Sequence, residues 1–168
     1  MPIKIKEVLN RSDLKKFVKF PYQLYKDNKY WVPPLIFDEM NILRKDKNPA
    51  FEFCEAKYWL AFRDGKIAGR IAGIINQKYN EKWGKKYLRF GWFDFINDEK
   101  VASTLLDAVE NWARSKGMTA LHGPLGFTDM DYEGTLVEGF EELGTLATIY
   151  NYSYYPKLHF YIPPLYLK

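Results

Sequence analysis

The sequence predicts a mixed α/β fold, in which a mostly antiparallel sheet is flanked by helices and contains one parallel strand–helix–strand crossover. The crossover is residues 86–127, where the aromatic run KYLRFGWFDFI precedes a helical pattern and a second, shorter apolar run. The antiparallel part is indicated by apolar runs on either side of Asp64-Gly65, a pair preferred in type I′ hairpin turns. Strands joined by a helix run parallel, so we expect a ligand crevice beyond their carboxyl ends.

The composition is that of one globular domain, which we expect to span residues 1–168 and to end in an irregular tail over residues 159–168. Hydrophobic residues make up 47% of the 168 residues and charged residues 27%. The net charge of +4 is spread along the chain, which argues against a nucleic-acid partner. Aromatic residues reach 18%, which favours an interface or a groove for a flat or acyl-bearing ligand.

Compartment and metal content can also be predicted. The single cysteine, Cys54, has no disulfide partner, so we expect a reducing compartment and a buried, inert side chain. No apolar run is long enough to span a membrane, and the segment MPIKIKEVLN lacks the apolar core of a signal peptide. We therefore expect a cytoplasmic protein without a membrane partner. The two isolated histidines, His122 and His159, predict no metal site.

The first third of the chain predicts one strand and two helices. Residues 3–8 alternate apolar and charged side chains, as a half-buried strand does. Ser12 is the expected cap of a first helix, which Pro21 kinks or ends. Pro33-Pro34 then forces an extended break before a second helix over residues 35–44.

The middle of the chain predicts a hairpin followed by a linker. Residues 58–63 and 67–76 are the two hairpin strands, and residues 80–86 are a polar linker.

The crossover should be buried on both sides of its first strand. Simple alternation predicts two apolar groups on opposite faces, Tyr87, Phe93 and Phe95 on one and Leu88, Phe90, Trp92 and Ile96 on the other. Asn97 is the expected cap of the following helix, and Gly117 is expected to end it. The second strand is expected over residues 119–125.

Five local phrases, taken in order, resemble a known family. They are LYKDNKYWVPPL at 24–35, KNPAFEF at 47–53, DGKIAGRIAGIIN at 64–76, GMTALHGPLGFTD at 117–129 and YNYSYYPKL at 150–158. Together with the order of elements, they resemble the GNAT superfamily of acyl-CoA-dependent N-acyltransferases, and more closely a GNAT-like branch found in bacteria. The resemblance covers residues 3 to about 158.

The resemblance implies an acyltransferase that uses acetyl-CoA or another acyl-CoA as co-substrate and a small-molecule or peptide amine as acceptor. In this family the fourth strand, here residues 87–96, splays from the fifth and pairs with the pantetheine. The pyrophosphate binds the amides that open the next helix, here residues 97–100. The cofactor-binding residues implied on this chain are Phe93, Asp94, Phe95, Asn97 and Gly126.

The family also implies a tyrosine that protonates the departing thiolate. Tyr154 and Tyr155 lie in the segment that resembles the family's tyrosine region. Aromatic packing against the sheet is the competing interpretation of both residues.

An acidic group follows the expected fifth strand and gives the candidate acceptor site. Asp129, Asp131 and Glu133 are expected to bind a cationic amine, Glu138 to act as the base, and Asn151 to contact the substrate. A solvated acidic loop is the alternative interpretation.

The chain departs from the family pattern in two places. The usual glycine-rich turn before the crossover helix is absent, and Asp94, Asp98 and Glu99 surround the expected phosphate position. Residues 159–168 do not resemble the helix and strand that normally complete the sheet, which predicts an open edge and a homodimer formed through it. Two alternatives therefore stand beside the transferase: a GNAT-derived binding module that has lost acyl-CoA, and an assembly subunit.

Overall fold

A six-stranded sheet runs through the chain with its strands in sequence order. The strands are β1 Lys4–Glu7, β2 Cys54–Arg63, β3 Lys66–Asn76, β4 Tyr87–Phe95, β5 Ala120–His122 and β6 Leu165–Tyr166. The helices are α1 Arg11–Leu24, α2 Ile36–Ile42, α3 Gln77–Trp83, α4 Glu99–Ser115 and α5 Tyr154–Lys157, with a 3₁₀ turn at Pro49–Glu52. This computed structural model describes residues 2–157 and the backbone of residues 165 and 166. Within that part, no helix has the length and apolar character needed to cross a membrane.

The antiparallel hairpin lies where the sequence predicts it. Strands β2 and β3 pair antiparallel along their length and are joined at Asp64-Gly65. The two turn residues have φ angles of 52° and 76°, the left-handed values that a type I′ turn requires. Strand β2 begins at Cys54, earlier than the predicted residue 58, because the pairing continues to Cys54 opposite Asn76.

The parallel crossover is also confirmed, and the paired part of its two strands is short. Strands β4 and β5 pair in parallel from Tyr87 opposite Ala120 to Arg89 opposite His122, with α4 forming the connection. The next contact is a hydrogen bond of 2.8 Å from the Leu125 N–H to the Phe90 carbonyl. The carboxyl half of β4 therefore continues beyond its register with β5, and the two segments diverge.

Two glycines allow the chain after β5 to pass close to β4. A Cβ on Gly91 would lie 2.5 Å from the Leu125 carbonyl oxygen, and one on Gly123 would lie 2.2 Å from the Phe90 carbonyl oxygen. Both distances are below van der Waals contact, so any larger residue must push the two segments apart.

Residues 159–168, expected to be irregular, contribute the two-residue strand β6. It pairs antiparallel with Ala120 and Leu121, so part of the β5 edge that was expected to be open is covered. Residues 158–164, 167 and 168 lie outside the described part of the chain, and so does His159.

The predicted positions of two helix caps are wrong by one or two residues. The N-cap of α1 is Asn10, not Ser12, and its side chain accepts a hydrogen bond of 2.9 Å from the Asp13 amide. The N-cap of α4 is Asp98, not Asn97, and it accepts from the amides of the first turn. In each helix the observed cap is an Asn or Asp residue whose side chain reaches the free N–H groups of the first turn.

Helix α3 occupies part of the predicted linker. Its N-cap is Asn76, whose side chain accepts from the Tyr79 amide, and it ends at Gly84 in the left-handed conformation. The Asn80 side chain then holds the start of β4, donating to the Tyr87 carbonyl and accepting from its amide. The prediction of a linker is wrong because these caps stabilise a short helix that has no buried residue.

A bulge in β4 overturns the predicted alternation of its aromatic residues. The register between β3 and β4 shifts between Arg70 and Ala72, and Trp92 there has a φ of 45°. An extra residue reverses the alternation beyond it. Phe93 and Phe95 consequently join Leu88 and Phe90 in the core under α4, whereas Trp92 packs into the opposite core.

The two faces of the sheet are covered by different helices. Helix α4 buries Val101, Leu105, Val109 and Trp112, the helical pattern that the sequence predicts. The opposite core is built on residues of α1 and of the sheet: Leu14, Phe17, Val18, Leu60, Ala72 and Ile74. Cys54 is buried in this second core, where burial raises the pKa of its thiol to about 11 and keeps it protonated at neutral pH.

Helix α1 continues through Pro21, and a buried arginine explains how. Proline has no N–H, so the Phe17 carbonyl lacks its intrahelical partner. The Arg70 Nη1 donates to that carbonyl at 3.1 Å. The same guanidinium binds Asp94 Oδ2 through Nε at 2.8 Å and Nη2 at 2.7 Å. Arg70 therefore joins α1, β3 and β4.

We expect Arg70→Ala to lower the free energy of unfolding by about 3–5 kcal/mol, because it leaves the Asp94 carboxylate buried without its cation. Urea unfolding followed by circular dichroism measures the change. The control is Glu55→Gln, which breaks the half-exposed pair with Lys116 and should cost less than about 1 kcal/mol. Equal losses in the two variants would contradict the role of Arg70.

We expect Gly91→Ala to lower the free energy of unfolding by about 1–3 kcal/mol, because the new methyl group overlaps the Leu125 carbonyl. Gly144→Ala is the matched control, since the nearest atom to its new methyl group is a side-chain hydroxyl, that of Thr148, at 3.2 Å and not a backbone carbonyl at 2.5 Å. The same urea measurement applies, and a Gly91 variant as stable as the control would show that the close crossing is relaxed in solution.

Candidate functional site

A cavity of about 280 Å³ lies where β4 and the chain after β5 diverge. This is the carboxyl end of the parallel pair, the position predicted for a ligand crevice. One part of its wall is apolar and is formed by Trp31, Val32, Pro34, Phe90, Trp92 and Phe93. The polar part is formed by Tyr25, Glu39, Arg70, Asp94, Asn151 and Tyr155.

Asp94 is the centre of the polar wall. Its Oδ2 binds Arg70, and its Oδ1 accepts from the Tyr25 hydroxyl at 3.0 Å and lies 3.4 Å from the Tyr155 hydroxyl. The two phenol oxygens are 3.1 Å apart. Burial, together with the nearby Asp94 carboxylate, raises the pKa of both phenols well above the usual value, so both hold their protons at neutral pH.

The two tyrosines predicted from the sequence, Tyr154 and Tyr155, form hydrogen bonds with the backbone of Phe95. The Phe95 N–H donates to the Tyr155 hydroxyl at 3.1 Å, and the Tyr154 hydroxyl donates to the Phe95 carbonyl at 2.5 Å. The Tyr155 ring also stacks on the Phe95 ring with centroids 4.3 Å apart. Both tyrosines therefore pack against the sheet and also place hydroxyl groups beside the diverging strand.

Glu39 is a buried carboxylate that is not among the site residues predicted from the sequence. The residue is 4% exposed, and its Oε2 accepts a hydrogen bond of 2.8 Å from Trp92 Nε1. Burial raises the pKa of Glu39, and the Arg70 charge opposes that change only in part.

Two signals in the sequence point to the residues that were missed. Glu39 falls between Ile36 and Leu43 on the apolar face predicted for α2, where a carboxylate is unusual. Arg70 interrupts the apolar run IAGRIAGIIN, and a charge inside a buried strand indicates a partner.

The predicted cofactor residues are divided between the cavity and its surroundings. Phe93, Asp94 and Phe95 line the cavity. Asn97 is exposed beyond the end of β4 and lies outside the lining. Gly126 is buried, and its carbonyl accepts a hydrogen bond of 3.2 Å from Arg89 Nη1.

The start of α4 is closed by the side chain of Asp98. Its Oδ1 accepts from the Lys100 amide at 3.0 Å and the Val101 amide at 3.4 Å, and its Oδ2 is paired with Arg63. These are the amide groups that a helix N-terminus offers to a phosphate. In this conformation a protein carboxylate takes the place of an external anion.

Of the five predicted acceptor residues, Asn151 lies at the cavity. It is 2% exposed, and its side chain binds both the amide and the carbonyl of Leu136, which secures the loop that covers the cavity. The other four, which lie on loops before and after Gly134, are outside the lining: Asp129, Glu133 and Glu138 are exposed, and Asp131 is half-buried and accepts a hydrogen bond of 3.0 Å from the Thr128 amide.

The chain is similar to two curated bacterial proteins, and no family model matches it. It is 37% identical to Protein YghO of Escherichia coli K12 over 137 residues, which are 82% of this chain and 35% of that protein. It is 31% identical to the bacterial ceramide synthase of Caulobacter vibrioides over 131 residues, which are 77% of this chain and 34% of that protein. The chain thus spans about a third of the length of each relative.

Solved GNAT structures share its fold. A tandem GNAT protein from the clavulanic acid biosynthesis pathway aligns with 71% of this chain and 35% of its own, at a TM-score of 0.55 and 15% identity. A predicted acetyltransferase of Clostridium acetobutylicum, crystallised with acetyl-CoA, aligns with 71% of this chain and 79% of its own, at a TM-score of 0.51 and 13% identity. The sheet with its one parallel pair and flanking helices is the GNAT fold.

Proposed function

We propose that the cavity beside Asp94 is the site of acyl transfer from an acyl-CoA thioester to an amine. The observation that carries this proposal is the convergence of a backbone N–H, that of Phe95, with two protonated phenols at the divergence of β4 and β5. Acyl transfer needs fixed donors where negative charge develops on the acyl oxygen and an acid for the leaving group.

The backbone of Phe95 and three tyrosines near Asp94 have the following roles in this proposal. The Phe95 N–H is the donor for the acyl oxygen once the Tyr155 hydroxyl moves off it. Tyr25 and Asp94 contact the Tyr155 hydroxyl in the position it leaves. Tyr155 keeps its proton at neutral pH and, once moved, donates it to the departing sulfur. Tyr154, on the Phe95 carbonyl, moves with Tyr155 because both belong to α5.

The remaining predicted residues belong to the approach of the two substrates. Asp129, Asp131, Glu133 and Glu138 form an acidic loop region whose charge attracts a cationic amine from solution. Phe93, Asn97 and Gly126 are proposed to contact the acyl-CoA molecule along its path from the cavity toward the start of α4.

The names of the relatives are consistent with amide formation. Ceramide is an amide of a long-chain amine, and one relative is a ceramide synthase. A solved structure of the same fold contains acetyl-CoA. Both facts support the class of reaction, and neither selects the acyl chain or the acceptor on this chain.

A second candidate is a GNAT-derived binding module without acyl-CoA. Two observations favour it: Asp98 occupies the first-turn amides of α4, and Tyr154 and Tyr155 occupy the backbone of Phe95. In this alternative the cavity binds a small molecule and α5 stays in place.

The transferase predicts that acyl-CoA binds and that Tyr155→Phe slows turnover by about 10²–10⁴-fold with little change in acyl-CoA affinity, because only the acid is lost. Calorimetry with acetyl-CoA and longer acyl-CoAs measures binding, and free thiol release with a mixture of primary amines measures turnover. Tyr152→Phe is the control, since its hydroxyl binds the Leu24 carbonyl outside the cavity lining.

The outcomes separate the two candidates. If no acyl-CoA of any length binds, the transferase is rejected and the binding module is favoured. If acyl-CoA binds and Tyr155→Phe retains the full rate, the reaction stands and the role of Tyr155 is rejected.

A further inference from the structure

We propose that Glu39 is the carboxylate that binds the acceptor, and that the acceptor is a primary ammonium group carried on an apolar body. The proposal rests on the proposed acyl transfer for its chemistry, and it names the substrate class of that site.

The charges of the cavity wall leave Glu39 as the group that needs a cation. Arg70 directs its hydrogen bonds to Asp94 and to the Phe17 carbonyl. Asp94 in turn accepts hydrogen bonds from the Tyr25 hydroxyl and from the guanidinium. This pair is balanced, whereas the donor that reaches Glu39 within the described residues is the uncharged Trp92 Nε1.

The surroundings of Glu39 keep water away from most of its carboxylate, so hydration cannot stabilise the negative charge there. The residue is 4% exposed, and it still lines the cavity. An ionised Glu39 adds a net negative charge to a wall that contains Arg70 and Asp94. A buried charge of this kind is costly unless a partner neutralises it. An ammonium group entering the cavity supplies that partner.

The rest of the wall determines what the ammonium group is attached to. Trp31, Val32, Pro34 and Trp92 line the same cavity and offer no charge. Aromatic faces also attract ammonium groups. These walls fit an alkyl or aryl body and give no partner to a second charge.

The acid–base chemistry is balanced with the residues present. Forming an amide from an ammonium group removes two N–H protons, makes a C–N bond and breaks the C–S bond of the thioester. Glu39 accepts the first proton, which leaves the nucleophilic free amine. The second proton ends on the departing sulfur, through Tyr155, so that the products are the amide, the free thiol and one released proton.

The test compares two probes of equal length, hexylamine and hexanol, in calorimetric titrations of the full chain at neutral pH. Hexylamine is an ammonium ion there and hexanol is neutral. We expect the wild type to bind hexylamine at least tenfold more tightly than hexanol, and Glu39→Gln to lose that preference. Asp38→Asn is the matched control, because Asp38 is the exposed neighbour on α2, and the preference should remain in it.

The outcomes also separate this proposal from the proposed function. Equal binding of the two probes by the wild type overturns it without reference to a variant. Unchanged preference in a folded Glu39→Gln, verified by circular dichroism, overturns it as well. Amine binding that depends on Glu39, together with no turnover of any acyl-CoA, upholds the ammonium site and rejects the transferase. Full turnover in Glu39→Gln upholds the transferase and rejects the role of Glu39 in binding the acceptor.

Discussion

The buried pair of Arg70 and Asp94 is the interaction on which the rest of the site depends. Its two charges join β3 to β4, and the third direction of the guanidinium reaches the carbonyl that Pro21 leaves free in α1. Asp94 then fixes Tyr25, the C-cap residue of α1, and lies beside Tyr155 of α5. Four elements therefore meet at one carboxylate. Replacing a buried ion pair by well-packed hydrophobic residues is often neutral for stability, and we infer that this pair serves to orient the two phenols.

The bulge at Trp92 is the second constraint, and it acts on the shape of the cavity. By reversing the alternation of β4, it places Phe93 and Phe95 under α4 and Trp92 in the opposite core. Trp92 can then donate to Glu39 in the cavity wall. The glycines at 91 and 123 bring the segment after β5 against β4 just before the two diverge. A ligand crevice thus forms in a sheet that is otherwise continuous.

Local chemistry made much of the fold predictable. The Asp64-Gly65 turn, the helical pattern of α4 and the parallel crossover depend on residues close together in the sequence, and each was predicted correctly. The bulge was not predictable in this way, because a left-handed Trp92 is fixed by partners in β3 and not by its neighbours. Helix α3 was missed because its caps, Asn76 and Gly84, stabilise it without an apolar face.

The site was harder to predict because its residues come from distant parts of the chain. Tyr155 and Asp94 were selected through the resemblance to the GNAT superfamily, whereas Tyr25, Glu39 and Arg70 become neighbours only when α1, α2 and β3 pack together. The acidic residues at 129, 133 and 138 stand out in the sequence, yet hydration keeps them exposed. A charged residue inside an apolar pattern is the more informative signal in this chain.

A crystal structure with a non-hydrolysable acyl-CoA analogue would show whether the thioester is bound at the backbone of Phe95. We expect the acyl oxygen to lie within hydrogen-bond distance of the Phe95 N–H, and the Tyr155 hydroxyl to have moved from that N–H toward the sulfur position. An analogue bound elsewhere, with Tyr154 and Tyr155 still bonded to Phe95, would contradict this expectation.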